Sequence, residues 1–235
     1  MEIYSDTAMK LMAVQSHFSA NERVKRHWPF YERAGADKII GIGREDTEVW
    51  FPGGITVFNI GKDSYVDGDN LCKRLVQTFE RMLEFEQYDN LIVIEQDTIF
   101  YRRIPEITGY ASHHAGGKMG GFNANVFWHN PWCTDRTSAE AFVREGNKMI
   151  LEGDIENGEP DHFWGRAIER MNAKCEHIKG YTQNTISTDQ EAVYAAKVCL
   201  DHGGVFVHGV DHEETLNIIG TMWGVCMDSE RTIDE

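Results

Sequence analysis

The residues best placed to do chemistry stand together in "LIVIEQDTIF", residues 91–100. Four apolar residues, Leu91 to Ile94, lead straight into Glu95-Gln96-Asp97. On extended chain, residues two apart face the same way, so the two carboxylates share one side. Ionised carboxylates side by side repel each other, and burial penalises both. A divalent cation removes both costs. Hard cations take oxygen ligands, and where the protein offers few carboxylates they complete their shell with water and phosphate oxygens. The pattern therefore predicts a Mg²⁺ or Mn²⁺ site that grips a diphosphate through the ion. The same triplet would also suit a plain acidic surface loop; its place after a strong strand and a strong helix favours the metal.

Such a pair acts only if rigid elements carry it. "KLMAVQSHF" (10–18) reads as a short buried strand. A helix follows in "SANERVKRHWPFYERAG", with Ser19 or Asn21 as cap, Glu22 in the first turn, Pro29 as a kink and Gly35 at the end. "DKIIGIG" (37–43) and "ITVFNIG" (55–61) read as two more strands. The clearest helix lies in "VDGDNLCKRLVQTFERMLEFEQ". Leu71, Leu75, Phe79 and Met82 or Leu83 share one face, and Lys73, Arg74, Gln77, Glu80 and Arg81 point away. Asp67 and Asp69 sit at its start, where the helix dipole favours them. "NLIVI" is the continuous apolar run of a central parallel strand. This order predicts an α/β sandwich with a mostly parallel sheet, one domain over residues 1–235. Ligands of such sheets bind off the carboxyl ends of the strands, which is where Glu95 and Asp97 fall. The second half is rich in Gly, His and aromatics. Helices are expected at 138–153, 161–173 and 189–203, a strand at 204–210, and a frayed tail at "DSERTIDE".

With these elements the chain resembles the GT-A glycosyltransferases, which use nucleotide-activated sugars and have a Rossmannoid α/β/α fold. "IVIEQDTIF" looks like the D-x-D strand end of that fold, with Glu95 in place of the first Asp. The resemblance implies that Asp97 holds Mn²⁺ or Mg²⁺ and that Glu95 contacts metal or ribose, with Gln96 between them in the donor site. It makes Gln15, Ser16 and His17, at the end of the first strand, contacts for the nucleotide. "GEPDHFWGRAIERM" resembles an acidic pair beside the acceptor. Asp161 is the implied catalytic base and Glu159 the second choice, although Pro160 separates the two; Asp161 reads equally well as a helix N-cap. "GVFVHGVDHEE" resembles the segment that returns to the metal. His208 is then a nitrogen ligand, with Gly209 allowing close backbone approach and His212 a weaker candidate; the alternative is a half-buried His bonded to backbone. Gly120, Gly121 and Asn123 would line the donor-sugar pocket or form a glycine-rich turn, after a mobile loop containing His113, His114, Gly116 and Gly117. About 1–104 would bind the nucleotide sugar and about 105–235 the acceptor.

The reading implied is a hexosyl- or pentosyltransferase that moves a sugar from a nucleotide diphosphate sugar, UDP-sugar by family frequency, to a hydroxyl. Small molecules, glycans, proteins and hydroxymethylated bases of viral DNA are all possible acceptors. Arg102, Arg103 and Lys118 would supply the basic strip that DNA needs, against a net charge of −15 that repels nucleic acid at long range. One alternative is a nucleotidyltransferase, which would usually carry a basic glycine-rich loop where this chain has "QSHFSANERVKR". Another is a non-catalytic nucleotide- or sugar-binding protein. The aromatics Phe127, Trp128, Trp132 and Trp164 read either as a stacking surface for an acceptor ring or, more usually, as core packing, with at least two of the four expected in the core. Gly41-x-Gly43 lacks the rest of a dinucleotide fingerprint. Five scattered cysteines without a C-x-x-C read as reduced thiols. No apolar run approaches a membrane span and no secretory signal is evident, so the expected location is cytoplasmic.

Overall fold

The computed structural model describes residues 8–17, 20–45, 48–61, 68–114, 128–155, 160–182, 189–210 and 212–225. In chain order these form β1 (Lys10–Gln15), α1 (Asn21–Tyr31), β2 (Lys38–Gly43), β3 (Thr56–Asn59), α2 (Gly68–Leu83), β4 (Asn90–Glu95), β5 (Thr98–Phe100), β6 (Tyr110–His114) and β7 (Trp128–Asp135). Then come α3 (Arg136–Glu152), α4 (Pro160–Arg170), β8 (Cys175–His177), β9 (Gly180–Thr182), α5 (Asp189–His202), β10 (Phe206–His208) and α6 (Glu213–Trp223). Seven strands make one sheet in the order β3-β2-β1-β4-β7-β6-β8, and β5-β10-β9 make a second, small one. In the large sheet every neighbouring pair is parallel except those made by β7, which runs against both β4 and β6. The fold is thus α/β with a mostly parallel sheet, and strands from both halves of the chain share it.

The apolar runs of β1 and β4 are continuous because both faces of these strands are covered. Leu11, Ala13, Leu91 and Val93 pack with Leu75, Phe79, Phe142 and Trp164 of α2, α3 and α4. Met12, Val14, Ile92 and Ile94 face the other way, toward Tyr31 of α1, Phe100 and Phe206. A third cluster joins α5 and α6 through Ala195, Val207, Leu216 and Trp223. Trp132 and Trp164 are fully buried, which meets the expectation for two of the four aromatics. Phe127 lies outside the described residues.

Several expectations need correction. Position Ala20, not Asn21, caps α1, and the Asn21 side chain accepts from the Trp50 amide (2.8 Å); Ser19 lies outside the described residues. The helix ends at Tyr31, and a 3₁₀ turn, Glu32–Ala34, carries the chain to Gly35 at φ 72°. Arg74 does not point to solvent. It is buried and donates to Ser16 O (2.7 Å) and Ile42 O (2.8 Å), so a guanidinium ties the ends of β1 and β2 together. His113 and His114 belong to strand β6, not to a loop. The helix expected at 161–173 runs from Pro160 to Arg170, so Asp161 lies inside its first turn. The α3 helix begins at Arg136 because Asp135 caps it, accepting from Ser138 N (2.8 Å). Helix α6 was not expected. Asp67, Gly116, Gly117, Lys118, Cys226 and the tail lie outside the described residues. Cys72, Cys133, Cys175 and Cys199 form no disulfide. Among the described residues no helix is long and apolar enough to cross a membrane.

Candidate metal and donor site

The chain order reverses between β1 and β4: β2 and β3 extend to one side of β1, and β4 opens the other. Such a switch point leaves a crevice at the carboxyl ends of the strands. Gln15 and Glu95, the last residues of β1 and β4, stand in register there. The reversed strand β7 starts at this same end, delivering His129 and Asn130 beside Glu95. The small sheet delivers His208, paired with Thr98.

Asp97 is not on extended chain. It sits in the two-residue turn between β4 and β5, yet it still meets Glu95 at one point. His208 Nε2 lies 3.2 Å from Glu95 Oε2 and 3.1 Å from Asp97 Oδ1. Among the described residues this is the group of three whose ligand atoms could hold one metal ion. Backbone geometry fixes the turn: Gly209 N and Val210 N both donate to Asp97 O (3.1 and 3.2 Å), and the Tyr31 hydroxyl donates to Gln96 O (2.5 Å). Glu95 is aimed by a buried relay. Thr98 Oγ1 donates to Asn130 Oδ1 (2.7 Å), which turns the amide so that Asn130 Nδ2 donates to Glu95 Oε2 (3.0 Å).

The electrostatics follow from burial and pairing. Burial pushes the Asp97 carboxyl up, but the His208 charge and contact, with Arg23 behind them, outweigh it and hold the group at about 2. Burial pushes His208 down, and Asp97 and Glu95 together drive it well above the usual imidazole value. The His208 ring is therefore held protonated between two carboxylate acceptors, and a metal ion bound there would displace that proton. Asp97 Oδ1 and His208 Nε2 are both fully enclosed and, although close, are not aligned for a hydrogen bond. Two carboxylate oxygens and one imidazole nitrogen with unsatisfied atoms turned to a common point fit a divalent cation. The nitrogen suits Mn²⁺ better than Mg²⁺, which prefers oxygen throughout.

The other expected site residues are distributed as follows. Gln15 turns into the protein and donates to Thr78 Oγ1 (2.9 Å). Ser16 is buried, held by its amide on Ile42 O (3.0 Å). His17 follows at the same strand end and is largely buried. Gln96, with its amide oriented to suit its neighbours, donates to Gln15 O (3.0 Å) and accepts from Arg23 (3.2 Å). Asp161 stands against His129, Oδ2 to Nδ1 2.7 Å. His212 is exposed at the start of α6 and does not join the group of three. Glu159, Gly120, Gly121 and Asn123 lie outside the described residues.

Arg102 and Arg103 are not near this crevice. Arg103 packs against Gly35 and is felt by Lys10, the first residue of β1, while Arg102 lies over the Tyr101 ring and near Gly203. Both are at the opposite end of the sheet, because the chain has run back along β5 by then.

Asn130, Thr98 and His129 escaped the sequence reading. Their one signal was the polar pair His129-Asn130 inside the aromatic run "FWHNPW", an interruption of the same kind as Glu95-Gln96-Asp97. No protein-family model matches the chain, and no curated protein matches it as a relative.

Proposed function

We propose that the chain is a metal-dependent glycosyltransferase of the GT-A type, moving a sugar from a nucleotide diphosphate sugar, UDP-sugar first, to a hydroxyl acceptor. The observation that carries this reading is the convergence of Glu95, Asp97 and His208 on one point at the switch point of a mostly parallel sheet. A bound Mn²⁺ would neutralise charge on the leaving diphosphate. Glu95, Asp97 and His208 would hold it. The Thr98–Asn130 relay keeps Glu95 in place, as supporting partners of ligands commonly do. Glu95, 35% exposed against 19% for Asp97 and 13% for His208, marks the open side from which a diphosphate would enter. A cytoplasmic location is part of the same reading. For a DNA acceptor, the described residues offer no basic strip at this crevice from Arg102 or Arg103.

The test is a thermal-shift panel of UDP-glucose, UDP-galactose and UDP-N-acetylglucosamine, each with and without Mn²⁺. A ligand at 100 times its dissociation constant stabilises by about 2.7 kcal/mol. Stabilisation that needs Mn²⁺ supports the reading. No response to UDP-sugars, UDP or other nucleotide sugars with Mn²⁺ present sinks it. Turnover separates an enzyme from a binding module: Asp97→Asn abolishes the first, and a metal-free module keeps its ligand.

A further inference from the structure

The carboxyl-end rim of the large sheet continues past the three clustered side chains. Strand β7 starts there, so β6, which runs against it, ends there, and so does β8, parallel to β6. Two imidazoles meet at those ends, His113 of β6 and His177 of β8, with ring centres 5.1 Å apart. His113 is 9% exposed, and the Phe206 ring stands edge-on against it at 5.5 Å. His177 is exposed.

Backbone partners fix both tautomers. His113 Nδ1 lies 3.2 Å from Ile178 O. A carbonyl only accepts, so Nδ1 carries the proton and Nε2 keeps its lone pair. The His114 amide donates to His177 Nδ1 (3.1 Å). An amide N–H only donates, so on this ring Nδ1 holds the lone pair and Nε2 carries the proton. The two rings thus offer opposite roles side by side: an acceptor at His113 Nε2 and a donor at His177 Nε2. Among the described residues neither Nε2 meets a partner, and neither is sealed from solvent. Burial keeps both rings neutral. It pushes His113 to about 4, and it lowers His177, with His114 adding to the effect. A protonated Nε2 does not ligate a cation, and neutral rings do not attract an anion.

We infer that His113 and His177 form a subsite for a neutral vicinal diol of a carbohydrate, one hydroxyl donating to His113 Nε2 and its neighbour accepting from His177 Nε2. A single hydroxyl fills one of these positions; a diol fills both. On the transferase reading above, on which this part rests, the diol belongs to the acceptor. Strand β6 lies two places from β4 in the sheet, about 10 Å at the usual strand spacing. That leaves room for the donor's sugar between a metal-bound diphosphate and an acceptor held at β6 and β8.

Nitrogen-15 NMR of histidine-labelled full-length protein at pH 7.5 reads both rings, assigned through His113→Gln and His177→Phe. Without ligand, His113 should be the Nδ1–H form and His177 the Nε2–H form; any other pair of tautomers overturns the inference. Methyl glucoside and methyl galactoside should shift both Nε2 signals saturably, while n-propanol and inorganic phosphate leave them in place. His177→Phe, a change at an exposed side chain, should weaken the glycoside by about 3–10-fold, the worth of one neutral hydrogen bond, and leave the calorimetric affinity for UDP with Mn²⁺ unchanged. No shift with either glycoside, or an equal shift with phosphate, overturns the subsite. A shift with UDP-glucose and Mn²⁺ but with neither glycoside would give the rings to the donor and overturn the acceptor assignment. If UDP with Mn²⁺ fails to bind while the glycosides do, the transferase reading falls and the diol site stands. If UDP binds and the glycosides do not, the diol site alone falls.

Discussion

At the amino end of the central strands, acids take backbone N–H groups. Asp37 accepts from Lys10 N (2.7 Å) and Asp89 from Met9 N (3.1 Å). Asp135 accepts from Gly109 N (2.6 Å) and Ser138 N (2.8 Å). A cavity of about 440 Å³ opens there, lined by Asp89, Asn90, Glu106 and Asp135 among others, yet its aspartates are occupied with loop ends and a helix cap. At the carboxyl end, Glu95 and Asp97 take no such backbone partners among those described; they face a histidine and a side-chain amide. Both rims are acidic. The difference teaches that an acid's partners, more than its presence in a hollow, separate structural from reactive carboxylates: main-chain donors finish a fold, whereas side chains gathered around unsatisfied atoms leave something to bind.

Four measurements would break or sharpen that contrast. The largest effect is expected from Asp97→Asn. Removing a ligand should weaken Mn²⁺ by more than about 100-fold, beyond the 10–100-fold that supporting partners control, as read by calorimetry on protein whose circular dichroism is unchanged. Unchanged affinity would place the ion elsewhere.

Next is the acid limb of stability. His27 is fully enclosed beneath the site, its ring nitrogens facing Arg23 O (2.7 Å) and Val210 O (2.8 Å), and burial holds it at about 4 against a usual 6.5. Unfolding lets it gain a proton. Its contribution is therefore whole above pH 6.5 and is lost as pH falls toward 4, up to about 3 kcal/mol. His113, pushed to about 4 chiefly by burial, has the same sign. His208 runs the other way: its raised value contributes stability below pH 6.5, which is lost as pH rises through the folded value. Urea midpoints from pH 7.5 to 4.5 should fall, and His27→Gln should flatten the slope; a flat wild-type profile would contradict the assignment.

Asn130→Ala should weaken Mn²⁺ by about 10–100-fold by freeing Glu95, without reaching the loss seen at Asp97. An equal loss would make Asn130 a ligand in its own right. The smallest effect belongs to the other rim. Asp135→Ala should cost about 1 kcal/mol of stability through the lost helix cap and leave Mn²⁺ affinity unchanged. A change in metal binding there would erase the contrast between the two ends.

The legible parts of the sequence were those with a period. Helix α2 and strand β4 announce themselves through repeated apolar positions, and Glu95 and Asp97 are conspicuous because they end such a run. Strands β6 and β7 do not: "YASHH" and "WHNPWCTD" place histidines, asparagine and proline inside the sheet, where propensity argues for loop. Arg74 misled because helical spacing says nothing of a guanidinium long enough to reach the carbonyls of β1 and β2. The relay Thr98–Asn130–Glu95 joins residues 32 and 35 apart in sequence, a distance at which no local pattern operates.

Glu95 belongs to the large sheet and His208 to the small one, with Asp97 in the turn between them. Whatever sits at their meeting point, proton or ion, latches the two sheets together. The carboxy-terminal helices pack on the small sheet through Val207 and Leu216, so they follow the strand that carries His208. Such a latch works in both directions: filling it tightens the molecule, and prising the small sheet away empties it.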